Sequence, residues 1–250
     1  MTCTSRTEFF GIAALLFAAS AAVTIAWCAS MSAMGEMSMP GGWSMSMTWM
    51  RMPGQTWLEA AGSFLGMWIV MMVAMMLPSL LPRLWLYFQA SGAQRWLTAL
   101  VGVGYFLVWT ALGVAAFILG VALTAVEMQQ PAIARAVPLA VGVVVLIAGA
   151  LQFTAWKAHH LACWRAVKQS DAGSALRYGL RLGIHCVHCC ASLTAVLLVI
   201  GVMDLRAMAL VTLAITVERL ATNAQRVARV IGVVVVAAGL FLIARAVALT

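Results

Sequence analysis

The chain has 250 residues, of which 64% are hydrophobic and only 9% charged, with a net charge of +8 and a mean hydropathy of +1.02. Ordinary soluble domains carry about a quarter charged residues, so this composition points to an all-α, polytopic bundle of membrane helices that partners a lipid bilayer. Its basic residues are spread over short segments rather than gathered on an aromatic-interleaved face, which excludes nucleic acid as a partner.

In chain order, the first apolar run is Phe9 to Ala29, after Arg6. It resembles a signal peptide but exceeds the usual h-region of about 7–15 residues, so residues 1–30 read as a signal-anchor-like first span. Cleavage near Cys28-Ala29-Ser30 is the other reading. Residues 31–57 form a polar, Met-rich segment. Residues 58–250 hold the other apolar runs: Ala60 to Leu81, Leu97 to Thr124, Val137 to Trp156, Ile184 to Met203, Leu205 to Val217 and Val230 to Leu249. Runs of about 20 residues cross a hydrocarbon core of about 30 Å, whereas one of about 10–14 also suits the interface. Only Leu205 to Val217 falls in that shorter class. Trp27, Trp57, Trp96 and Trp156 sit near run ends, where aromatic belts form.

Positive charge decides whether that short run counts. With seven spans and a cytoplasmic N-terminus, eleven of the 15 basic residues lie inside, five of them between Lys157 and Arg181; with six spans, nine do. The positive-inside rule therefore predicts about seven spans, an extracytoplasmic segment 31–57 and a basic cytoplasmic loop 157–183.

Thirteen of the 17 methionines fall between Met31 and Met76. In the second span Met67, Met71 and Met75 follow at i, i+4 and i+8, with Met72 and Met76 one position round. Residues three and four apart share a helix face, so the thioethers form a stripe running inward. Thioethers are soft, uncharged ligands that suit Cu(I); Met is also a flexible filler of packing gaps, and within the apolar span that reading competes. Pro78 and Pro82 are expected to close the span at its inner end.

The fifth span opens with His185-Cys186-Val187-His188-Cys189-Cys190. On a helix, Cys186 lies i+3 from Cys189 and i+4 from Cys190, and His185 lies i+4 from Cys189. Two or three sulfurs with an adjacent imidazole make a ligand set for copper or zinc. Inert packing is the alternative for buried cysteine, and it is hard to sustain for three Cys and two His in six residues. His159, His160 and Cys163 repeat the spacing upstream, where interfacial residues need no ligand role. Glu218, a carboxylate at the inner membrane edge, is a functional candidate, or else a headgroup-level partner of Arg219 or Arg226. Asp204 reads as pairing with Arg206 in an outer turn. Cysteines on a reducing side do not suggest a disulfide framework. Gly179 and Gly183, spaced as Gly-x-x-x-Gly, read as a helix-packing surface. The chain has neither a phosphate-binding glycine loop nor a Ser/His/Asp arrangement, so ATP-driven transport by this chain alone is not expected and no catalytic residue is nominated.

The stretch Met67-Trp68-Ile69-Val70-Met71-Met72-Val73-Ala74-Met75-Met76-Leu77-Pro78-Ser79 resembles the signature of a bacterial family of predicted metal-binding integral membrane proteins, some of whose members are labelled copper chaperone. Cys186-Val187-His188-Cys189-Cys190, Gly201-Val202-Met203-Asp204-Leu205 and Glu218-Arg219 resemble its second signature, and Gln152-Phe153-Thr154 with Lys157 and Cys163 its juxtamembrane segment. The resemblance covers roughly residues 45 to 220 and implies metal binding in the bacterial inner membrane. His188, Ala191 and Asp204 depart from the family's small residue, Trp and Asn, so His188 adds a donor and any packing shared through that Trp is lost.

The expectation is an inner-membrane protein that binds a soft metal and hands it on or supports assembly of a metalloprotein. Its candidate ligands are Cys186, Cys189, Cys190, His185, His188, Met67, Met71, Met72, Met75, Met76, Glu218 and Cys163. Cu(I) is the favoured ion and zinc the other candidate; the expected partner is a metallochaperone or metalloenzyme complex. A thiol–disulfide redox protein and a non-enzymatic accessory subunit of a larger membrane complex stay open. Met75 and Met76 are expected within about 10 Å in depth of the cysteines.

Overall fold

An apolar chain in lipid must satisfy its backbone internally, which for a single sheetless segment means a helix. The computed structural model describes residues 3–33, 37–39, 43–45, 49–51, 54–166 and 174–248. They form helix α1 (Cys3–Ala33), two three-residue strands β1 (Met37–Met39) and β2 (Trp43–Met45), and helices α2 (Trp57–Ala90), α3 (Arg95–Gln129), α4 (Pro131–Leu151), α5 (Ala155–Ala166), α6 (Ala175–Ile200), α7 (Leu205–Leu220) and α8 (Ala224–Ala248). The strands pair as an antiparallel hairpin with Ser38 opposite Ser44. Among the described residues, six helices are long and apolar enough to cross a membrane: α1, α2, α3, α4, α6 and α8.

The helices outrun the apolar runs that seed them. Helix α2 starts on a capping box, in which the Thr56 side chain accepts from the Glu59 backbone N–H and the Glu59 carboxylate accepts from that of Thr56. Contrary to expectation, it does not close at Pro78 and Pro82 but continues to Ala90. Proline removes one helical hydrogen bond, and packing beyond it carries the helix on. Leu84, Tyr87 and Phe88 are buried, Tyr87 stacks on Tyr178 of α6, and Phe88 meets Phe9 of α1.

Helix α4 stops at Leu151 rather than at Trp156, and Trp156 belongs to the short helix α5. The stretch expected as a basic loop is largely helical: Lys157 to Ala166 lie in α5 and Ala175 to Gly183 in α6, while 167–173 fall outside the described residues. Gly201, at φ 142°, ends α6 in a conformation that suits glycine. Asp204 then caps α7 by accepting from the backbone N–H groups of Arg206 and Ala207, rather than pairing with the Arg206 side chain.

Helix α7 has 16 residues, about 24 Å at 1.5 Å per residue. It runs back beside α6 from the Gly201 turn to Arg219, whose guanidinium bonds the Cys186 carbonyl. Close helix approach needs small residues. A Cβ on Gly104 of α3 would lie 2.6 Å from the Leu176 carbonyl oxygen of α6, and one on Gly183 would lie 2.9 Å from that of Tyr105. The Gly179–Gly183 surface thus packs on α3, as its spacing predicts. A connected core runs from Cys28 and Phe64 through the α2 methionines to Cys186, Cys189 and Cys190.

Candidate metal centre

Helical spacing puts Cys186, Cys189 and Cys190 on one face of α6, and all three are fully buried. The α2 methionines Met67, Met71, Met72, Met75 and Met76 are buried as well, none more than 4% exposed. They therefore face protein rather than lipid, and Met76 completes the approach: its Sδ is 4.0 Å from Cys186 Sγ. The two motifs meet inside the bundle, as their depths predict.

Three further helices converge on these sulfurs. Because α3 packs tightly on α6, Tyr105 Oη reaches 2.8 Å from Cys186 Sγ. From α7, Arg219 Nη2 donates to Cys186 Sγ and Cys190 Sγ, each at 2.9 Å, and Nη1 donates to Ser79 Oγ of α2 at 2.9 Å. The same guanidinium lies 4.0 Å over the Trp164 ring of α5, a desolvated cation–π arrangement. Lys157 of α5 donates to the Cys189 carbonyl at 2.7 Å and to Glu218 Oε2 at 2.8 Å. Both members of that ion pair are 1% exposed. Glu218 is thus bound to Lys157 instead of Arg219 or Arg226, leaving Arg219 turned to the sulfurs.

A guanidinium always carries its charge, and a buried charge must be compensated. Arg219 places that charge against the sulfurs of Cys186 and Cys190. The sulfurs of Cys186, Cys190 and Met76 meet here with the Tyr105 hydroxyl beside them, and thiolate and thioether are soft donors. Among the described residues, no three or more His, Cys, Asp or Glu side chains are arranged as they stand to hold a metal ion.

The remaining candidates are placed elsewhere. His188 is exposed, on the far side of α6 from Cys186 and Cys190, and its ring stacks on His160 of α5. Cys163 turns to His159, with Sγ 3.4 Å from Nε2, and His185 is half-buried. Most of the Met-rich side chains between Met31 and Met52 lie outside the described residues. The hairpin is anchored by Trp43, whose Nε1 donates to the Ala134 carbonyl of α4 at 2.9 Å. At that end Cys28 Sγ lies 3.9 Å from Met203 Sδ, a second sulfur pair. Sequence reasoning nominated neither Tyr105, Ser79 nor Trp164 for the site. Tyr105 and Trp164 stand alone in their helices with no local pattern to mark them, whereas Ser79 closes the Met67–Ser79 signature.

Fold and site together define a polytopic helical protein, apolar enough for a lipid bilayer, with buried cysteine and methionine sulfurs beside a fixed cation. A family model described as PpoB2, copper chaperone, matches residues 65–242. That is more than half of the chain, and the chain belongs to this copper chaperone family. Neither the curated proteins nor the solved structures gave a match.

Proposed function

We propose that this protein carries Cu(I) within the bacterial inner membrane and delivers it for metalloprotein assembly, with Cys186, Cys189, Cys190 and Met76 as the tight site. The observation that carries this reading is the 4.0 Å approach of Met76 to Cys186 at the end of a buried thioether stripe. Met67 to Met76 spans nine residues, about 13 Å of helix rise, so the stripe gives the ion soft donors along that depth. The Cys28–Met203 pair supplies sulfur at the other end of the core. The topology that goes with this reading has a cytoplasmic N-terminus, α7 as a seventh crossing and an extracytoplasmic segment 31–57 that collects the ion. A metallochaperone or metalloenzyme receives it.

Arg219 beside two sulfurs also resembles the positive field around a redox cysteine, but thiol–disulfide exchange requires access for an attacking thiol. The three cysteines have 0% exposure, which favours the metal reading.

Competition of purified, reduced protein against a chromophoric Cu(I) chelator tests it. One tightly held Cu(I) is expected, and Cys186→Ser with Cys189→Ser abolishes tight binding because an alcohol is a far harder donor. Met76→Leu weakens binding by about tenfold, roughly 1.4 kcal/mol. Undiminished copper in the double cysteine variant would remove the cluster from the mechanism.

A further inference from the structure

The residues that the metal centre leaves aside gather between α5 and α6. The His160 and His188 rings stack at 5.0 Å between centroids with an interplanar angle of 17°, and the His159 ring meets His160 at 5.5 Å, edge-on. Cys163 Sγ lies 3.4 Å from His159 Nε2. His185 stands one turn from His188 on α6. Four imidazoles and a thiol thus share the seam between α5 and α6.

The donor chemistry of this group is specific. His188 Nδ1 lies 2.8 Å from the Ile184 carbonyl oxygen; a carbonyl only accepts, so Nδ1 carries the proton and Nε2 keeps its lone pair. A ring nitrogen held by a backbone carbonyl while the other faces outward is the arrangement that orients histidine as a metal ligand. His160 Nδ1 is buried with no hydrogen-bond partner among the described residues, a cost that a ligand bond removes. Nitrogen donors with one thiolate suit zinc or copper and not hard cations.

We propose that His159, His160, His185 and His188, with Cys163, form a second metal site that takes one borderline divalent transition ion, Zn(II) or Cu(II). As the rings stand, their donors do not close on one point. His159 is exposed and His185 half-buried, so both have room to turn toward an ion resting on His160 and His188. The site does not depend on copper at the thiol cluster. Its neighbour relation is direct, because His188 and Cys189 are consecutive on α6, about 100° apart around the helix, with His188 exposed and Cys189 buried.

The test uses full-length protein without a polyhistidine tag, with Cys186, Cys189 and Cys190 all replaced by Ser so that the buried cluster is silent. Co(II) is the probe. One bound Co(II) with a thiolate charge-transfer band is expected, the band disappearing in the further variant Cys163→Ser. His160→Gln with His188→Gln weakens Co(II) binding by about 100-fold or more, the loss expected when ligands themselves are removed rather than their supports. Co(II) that fails to bind, or binds equally well without both histidines, overturns the site. Should the triple variant not fold, wild-type protein is labelled with an acylating imidazole reagent with and without Zn(II). Protection of His160 and His188 by Zn(II) supports the site, and equal labelling overturns it. Neither experiment reads the Cu(I) affinity of Cys186 and Cys189, so failure here leaves that reading to its own test.

Discussion

The Lys157–Glu218 pair is buried against Cys189, and its energetics follow from desolvation. Taking two charges out of water costs more than their mutual attraction returns, whereas removing one partner strands the other. Lys157→Met is therefore expected to destabilise the protein by about 3–5 kcal/mol, while Lys157→Met with Glu218→Leu is far milder. Unfolding in mixed micelles checks this; equal losses for single and double variants would show that Lys157 acts through its Cys189 contact rather than through Glu218. Beside this pair, Arg219 has a different task. It reaches two sulfurs and the Ser79 hydroxyl from one guanidinium, a planar fork that lysine does not reproduce.

Between helices, the site depends on how closely α3 lies on α6. Inside a bilayer the driving force is packing and interhelical hydrogen bonding rather than exclusion of water, so small residues set the separation. Gly104 and Gly179 face each other across this crossing, and Gly183 abuts Tyr105 and Val108. Trp68, fully buried, fixes α2 on α3 by donating to the Trp109 carbonyl at 2.9 Å. Gly179→Leu should force the helices apart at a cost of about 1–3 kcal/mol, carrying Tyr105 away from Cys186. The expected readout is lower thermal stability together with weaker Cu(I) binding. A Gly179→Leu protein that binds Cu(I) normally would show that Tyr105 is not needed at the sulfurs.

Over the molecule as a whole, the two ends of the bundle have different characters. One carries the hairpin, the Cys28–Met203 pair and the Gly201 turn; the other carries α5, the N-terminus of α6 and most of the basic residues. Arg95 and Glu8 pair there, tying the start of α3 to the start of α1. The positive-inside rule predicts a cytoplasmic location for the basic end. A reporter fused after Ser46 should accordingly be extracytoplasmic and one fused after Ser170 cytoplasmic. A Ser170 reporter found outside would invert the map and put the thiols nearer the oxidising compartment.

Much of this was readable in the chain. Long apolar runs dictate membrane helices because lipid leaves the backbone no other satisfaction, and a period of 3.6 residues decides that Met67, Met71 and Met75, or Cys186 and Cys190, share a face. Those are local rules, and they gave the two halves of the sulfur site and the Gly179–Gly183 surface. Where local rules met a competing force they failed, as at Pro78 and Pro82, where packing of Leu84, Tyr87 and Phe88 keeps α2 helical. Neighbour choice belongs to the folded bundle alone. Tyr105, Ser79, Trp164 and Arg219 come from four helices; Ser79 and Arg219 lie within the quoted signatures, but nothing in the segments of Tyr105 and Trp164 marks them as companions of Cys186. Glu218 had cations beside it in sequence but takes Lys157, 61 residues away, because α5 packs on α6 and brings Lys157 to the end of α7. The five expected His and Cys ligands of α6 likewise divide at its two faces: Cys186, Cys189 and Cys190 turn to the core, and His188, with His185, to the α5 seam. A helix fixes the angle between such residues, but only the packing of its neighbours settles which angle looks into sulfur and which into imidazole.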